Sequence, residues 1–206
     1  MANQSWPNGV SKLKRSAGSN PTVFSSLQLE VVVEDGDWTA LEQIDALVEE
    51  TVAALAKHLC DRSRKAATPR GYQVALALTS DAHVARLNET YRGRQGPTNV
   101  LSFPNPMTMQ ETDERTTLST VHLAPIHLAP THLGDIVMAH QTMMEEANAL
   151  AIPPKDHFRH LLVHGLLHLA GYDHETDEQA QVMEAQEVEI LKTLGVPDPY
   201  SIKSQS

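Results

Sequence analysis

The chain has 206 residues, 41% of them hydrophobic, which suits one domain with a sizeable core and is too apolar for a disordered chain. Its formal net charge of −10 argues against a broad basic nucleic-acid surface, although a summed charge leaves room for a local basic groove. The single cysteine, Cys60, rules out an internal disulfide and a cysteine-ligated zinc site and fits a reducing cytoplasm. No apolar run approaches the ~18 residues of a membrane span, and no signal-peptide core follows the basic Lys12, Lys14 and Arg15.

Residues 1–25 are rich in Ser, Asn, Pro and Gly, lack periodicity, and read as a disordered tail. Leu27, Leu29, Val31 and Val33 alternate as a first strand. Asp35-Gly36-Asp37 is a turn, with Asp37 or Thr39 placed to cap a helix over 40–60. That helix has Leu41, Ile44, Leu47, Val48, Thr51, Val52, Leu55 and Leu59 at helical spacing. A basic loop over 62–71 leads to a second strand, Tyr72 to Leu78. Ser80-Asp81 caps a second helix with Val84, Leu87 and Tyr91 inward. The loop 91–99 carries Arg92, Arg94, Gly93 and Gly96, and a third strand, Val100 to Pro104, should stop at its proline.

Residues 104–131 read as an insertion with a short tandem repeat around His122, His127 and His132. Intervals of five residues, broken by prolines, do not align side chains on a helix, so this is a duplicated loop and not a metal site. A fourth strand covers Leu133 to Met138, and a third helix covers 139–150, with Met143, Met144, Ala147 and Leu150 inward. Pro153-Pro154 breaks that helix, and Asp156 caps the next, which runs to Gly171. A last helix over 175–194 places Ala180, Val182, Met183, Glu187, Ile190 and Leu191 in its periodic set, and 196–206 is a polar tail. The order of elements predicts α/β (or α+β) layering, with the leucine-rich helix at the centre of the core.

That central helix carries the chemistry. His164 and His168 are one turn apart, so their imidazoles leave the same face. Gly171 permits the left-handed turn that stops the helix and swings His174 back. Three imidazoles with a fourth position open make the catalytic form of a zinc site, whereas closure by His157, His160 or Asp173 would make it structural. The spacing matches a long zinc signature of metalloproteases, except that Gly165 stands where those enzymes carry a glutamate general base. Peptide hydrolysis by the usual route therefore lacks its proton acceptor. A metal acting on a phosphodiester remains, and that chemistry needs a cation for the developing charge, for which Arg92 and Arg94 are candidates. Asp173 either orients a ligand imidazole or caps the following helix.

The block His164-Gly-Leu-Leu-His168-Leu-Ala-Gly171-Tyr172-Asp173-His174 resembles the signature of the YbeY family of bacterial rRNA maturation endoribonucleases. Tyr91-Arg92-Gly93-Arg94 with Pro97-Thr98-Asn99-Val100-Leu101-Ser102-Phe103-Pro104 resembles a second family segment, and Leu133-Gly134-Asp135-Ile136-Val137 a third. The resemblance covers roughly 27–195. Gln95 departs from it, standing where many members carry an acidic residue. The resemblance implies a zincin-like sandwich, a small four-stranded mixed sheet packed with helices around a central metal-bearing helix. It implies one zinc ion on His164, His168 and His174, with the family's important arginine at Arg92. The implied activity is a cytoplasmic, zinc-dependent endoribonuclease of single-stranded RNA in 16S rRNA 3′-end maturation and ribosome quality control. Its partners would be single-stranded rRNA and the small ribosomal subunit, with no membrane or DNA, and it would act as a monomer. Two alternatives stand beside it: a metallopeptidase or other zinc hydrolase, and a non-catalytic ribosome assembly factor with a structural zinc.

Overall fold

A computed structural model describes residues 12–13, 27–62, 71–106 and 130–201. The rest of the amino-terminal tail, most of the basic loop 62–71, His122 and His127 of the repeat, and 202–206 lie outside the described residues.

Among the described residues, five strands form one mixed sheet in the order β1-β2-β3-β5-β4. They are β1 (Lys12–Leu13), β2 (Leu27–Val33), β3 (Tyr72–Thr79), β4 (Val100–Pro104) and β5 (Thr131–Ala139). β2, β3 and β5 are parallel, while β1 and β4 run antiparallel at the two edges. The four expected strands are all present. The fifth, Lys12–Leu13, falls within the stretch read as a tail and pairs with Val31 and Val32, covering part of the open edge of β2. β5 is also longer than expected, because it begins at Thr131 and absorbs His132.

The helices among the described residues are α1 (Ile44–Arg62), α2 (Asp81–Arg92), α3 (His140–Ala149), α4 (Pro154–Leu169) and α5 (Asp177–Thr193). Strand alternation sends side chains to two faces. Val74, Leu76, Leu78, Val100, Ile136 and Met138 join the large core with α1 and α4. Ala77, Leu101, Val137 and Ala139 meet Val84 and Leu87 of α2 on the other face. In α4, Phe158, Leu162, Val163 and Leu167 are fully buried, which makes it the central helix. It packs against β4, α1, α3 and α5.

Several local expectations shift. Asp37 caps only a 3-10 turn, Trp38–Ala40, before α1 begins at Ile44. Ser80 holds the cap position of α2 without a side-chain bond to the helix, and the Asp81 carboxylate instead accepts from the Thr142 backbone and hydroxyl, tying α2 to α3. Pro153-Pro154 does not merely end α3. Pro154 starts α4, because a first-turn position has no hydrogen bond to lose, and Asp156 sits inside that first turn, not at the cap. Tyr91 is 55% exposed and packs edge-on to Phe103, and Leu150 is also exposed, so neither points inward. The polar segment after Gly195 stays on the domain, with Val196 buried and Tyr200 partly so.

Candidate metal centre

α4 ends in a glycine turn that builds half the site. The Gly171 N–H donates to the His168 carbonyl at 3.0 Å, and the Tyr172 N–H donates to the Leu167 carbonyl at 3.0 Å. Gly171 takes φ +92°, a conformation that glycine adopts without the Cβ penalty. The same turn carries the Tyr172 carbonyl back to the helix, where it accepts from His168 Nδ1 at 3.0 Å. It also delivers His174, whose ring centroid lies 5.4 Å from that of His164 and 4.9 Å from that of His168. One ring nitrogen from each of His164, His168 and His174 lies within 4.8 Å of the other two, a grouping that can hold a metal ion.

Hydrogen bonds fix the tautomers of the first two rings. His164 Nδ1 faces Glu187 Oε1 at 2.8 Å, and His168 Nδ1 faces the Tyr172 carbonyl. A carboxylate and a carbonyl can only accept, so each Nδ1 carries the proton and each Nε2 is bare in the neutral ring. The two Nε2 atoms face each other at 3.2 Å. Two bare lone pairs at that separation repel unless a cation or proton lies between them. Zinc–nitrogen bonds of about 2.0–2.1 Å at tetrahedral angles place ligand nitrogens about 3.3 Å apart, so the pair fits a zinc-sized ion. Burial, with the neighbouring His164 and His174 rings, lowers the His168 pKa to about 4, which keeps that imidazole neutral as a metal ligand requires.

Glu187 was legible in the sequence only as one position of the periodic set on the last helix. It is fully buried on α5 and accepts from His164, from His160 Nε2 at 2.9 Å and from the Tyr200 hydroxyl. Burial pushes its pKa up, but the hydrogen bonds from His160 and His164 outweigh this and hold it at about 2. It takes the orienting role that Asp173 was a candidate for. Asp173 Oδ1 instead accepts from the His174 N–H at 2.8 Å, and Thr176 caps α5 through a capping box with Gln179.

The possible fourth ligands are engaged elsewhere. His160 meets Glu187, and His157 Nε2 meets Glu146 Oε2 at 2.8 Å. Among the described residues the metal-competent group contains three side chains. Glu146 also accepts from Asn99 Nδ2, at 2.9 Å to Oε2. Burial opposes its ionisation, yet the bonds from His157 and Asn99 leave its pKa below the usual value. This links the start of β4 to α3 and α4.

Gly165 is filled space, not a vacancy. A Cβ there would lie 3.1 Å from Ile136 Cδ1 and 3.2 Å from Ser102 Oγ, and the Ser102 hydroxyl donates to the Gly165 carbonyl at 3.3 Å. The helix backbone is packed closely on β4 and β5, so even a Cβ at this position needs Ile136 and Ser102 to yield by a few tenths of an ångström.

Arg92 is the last residue of α2, exposed, and followed by Gly93 at φ +63°. Arg94 is also exposed, in a loop that Asn88 Nδ2 pins through the Gly96 carbonyl at 2.9 Å. α2, which ends at Arg92, packs on the opposite face of the sheet from α4, which carries His164 and His168. His132 is not with the metal group. Its Nε2 lies 3.1 Å from Asp135 Oδ1.

No helix among the described residues is long and apolar enough to cross a membrane. A family model described as endoribonuclease YbeY matches residues 39–195. An endoribonuclease YbeY of Maricaulis maris is 41% identical over 172 residues, 84% of this chain and 91% of that protein. That of Parvibaculum lavamentivorans is 40% identical over 192 residues, 93% of this chain and 94% of that protein. That of Sinorhizobium medicae is 37% identical over 177 residues, covering 86% and 96%. A solution structure of a Thermotoga maritima protein shares 22% identity at a TM-score of 0.44, over 82% of this chain and 92% of that one. With the histidine geometry, the matched span and these near full-length relatives in place, the chain belongs to the endoribonuclease YbeY family, whose members are RNA-cleaving hydrolases.

Proposed function

We propose that the protein is a zinc-dependent endoribonuclease of single-stranded RNA. Its substrate would be 16S rRNA at the 3′ end, on or near the small ribosomal subunit, in the cytoplasm. It would act as a monomer in rRNA maturation and ribosome quality control. The observation that carries the metal-dependent reading is the pair of Nε2 atoms at 3.2 Å, each left bare by an acceptor behind its own ring.

His164, His168 and His174 would hold the ion. When bound, a divalent cation supplies Lewis acidity toward phosphoryl oxygens and lowers the pKa of nearby water. Glu187 and the Tyr172 carbonyl aim the first two rings, so the site is set before the ion arrives. Arg92 supplies a guanidinium for the charge that develops on the phosphoryl group. The residue at Gly165 supports phosphodiester over peptide chemistry, because it supplies no general-base carboxylate and its neighbours Ile136 and Ser102 crowd any larger side chain. The engagement of His157 and His160 by carboxylates supports an open, catalytic site over a closed structural one.

The test is cleavage of a single-stranded RNA by purified protein, with and without a chelator, beside His168→Ala. Cleavage should need metal and vanish in the variant while its circular dichroism is retained. Undiminished cleavage by a folded, metal-free His168→Ala protein would overturn the reading. Chelator-sensitive turnover of a peptide, with RNA left intact, would favour the metallopeptidase instead.

A further inference from the structure

The carboxylate behind His164 is itself braced from outside the helical core. Glu187 is fully buried, and a buried carboxylate needs partners for both oxygens. Among the described residues, Oε1 faces His164 Nδ1, at 2.8 Å. Oε2 takes two donors, His160 Nε2 at 2.9 Å and the Tyr200 hydroxyl. With two donors on one oxygen the carboxylate cannot rotate freely, and the other oxygen stays aimed at the ligand histidine.

Tyr200 is delivered by a short built turn. Its N–H donates to Asp198 Oδ1 at 2.8 Å, and the Ser201 hydroxyl donates to the Asp198 carbonyl at 2.7 Å. Val196 is buried just upstream, with its N–H on the Leu191 carbonyl at 3.0 Å. The tyrosine ring stands edge-on to His160, with centroids 5.7 Å apart at 85°.

We propose that Tyr200 is a positioning residue of the metal centre, acting through Glu187 on His164, so that the segment 196–201 is a working part of the site. This rests on the reading that the three histidines hold a divalent ion. Without the hydroxyl, Oε2 keeps His160 alone, the carboxylate gains freedom to turn, and the His164 ring loses its fixed proton and aim. Groups that orient a ligand in this way change metal affinity about 10- to 100-fold when lost.

The experiment titrates full-length protein, stripped by chelation, with Co2+ and with Zn2+ against a competing chelator. Wild type is compared with Tyr200→Phe and Glu187→Gln well below their melting temperatures. Tyr200→Phe keeps the ring and removes only the hydroxyl. It should bind about tenfold more weakly and shift the visible Co2+ absorption, and Glu187→Gln should lose about 10- to 100-fold. A merely structural role would lower the melting temperature and leave the Co2+ spectrum and the affinity of the folded protein unchanged. An affinity within twofold of wild type with the same spectrum overturns the proposal. If Tyr200→Phe fails to fold, Asp198→Ala, which frees the turn that delivers the hydroxyl, decides by the same criteria. Wild type that takes up neither ion would instead remove the metal reading on which the proposal stands.

Discussion

Replacing Gly165 by alanine adds one methyl group where α4 presses on the sheet. The new Cβ would sit 3.1 and 3.2 Å from two carbons of Ile136, a fully buried residue, and 3.2 Å from Ser102 Oγ. Contacts that tight require neighbours to yield by a few tenths of an ångström, and overpacking of a core costs about 1–3 kcal/mol. Against this, alanine gains about 0.8–1.0 kcal/mol over glycine inside a helix. The net loss is then about 0–2 kcal/mol. At about 2–4 °C per kcal/mol for a domain of this size, the melting temperature falls by up to about 8 °C. Gly165→Glu forces a carboxylate into the same contact and should cost more than about 3 kcal/mol. Melts belong in chelator, because bound metal would raise all melting temperatures by mass action. An alanine variant melting about 2–4 °C above wild type would show the helix gain with no packing cost, and would refute the close-contact argument. Peptidase activity in a stable glutamate variant would refute it as well.

Arg92→Ala should lower RNA cleavage about 10²-fold while the bound metal per chain is unchanged, as judged by metal analysis beside a cleavage assay. Unaltered cleavage would remove Arg92 from the site. In the metal-free protein, His168 is held at about 4 against an ordinary 6.5, so the unfolded chain binds its proton first. Stability should therefore fall as pH drops from 6.5 toward 4, and a melting temperature that is flat or rising over that window would contradict the sign. Glu187, held at about 2, adds a second loss as pH drops below its ordinary 4.5.

The three-histidine group was legible because it is local. A spacing of four residues on one helix and a glycine turn need no knowledge of the rest of the chain, and the structure brings His164, His168 and His174 together. Glu187 was not legible as an orienting group, because its contact with His164 spans two helices and its sequence signal is only helical period. Tyr200 was hidden for the same reason, in a segment whose composition reads as a tail. Gly165 was read through what it lacks, and its crowding by Ile136 of β5 and Ser102 of β4 was not legible, because it depends on contacts far apart in sequence. The strands were read well because alternation is strong in Leu27–Val33 and Tyr72–Thr79. Helix starts were read less well. Pro153-Pro154 carries a stop and a start in one signal, and the sequence gives no reason to choose one.

The pairing of β4 with β5 has a consequence for the end of the sheet. Beyond Pro104, the Asn105 N–H reaches the Leu133 carbonyl at 2.8 Å, and Asn105 Nδ2 reaches the His132 carbonyl at 3.0 Å. Both ends of the connection are thus clamped at the sheet, before the chain enters the stretch between them. The Asn105 contacts therefore hold β4 and β5 in register at the point where the chain leaves and rejoins the sheet. One residue thus closes this end of the sheet, with its backbone continuing the ladder and its side chain adding a further rung.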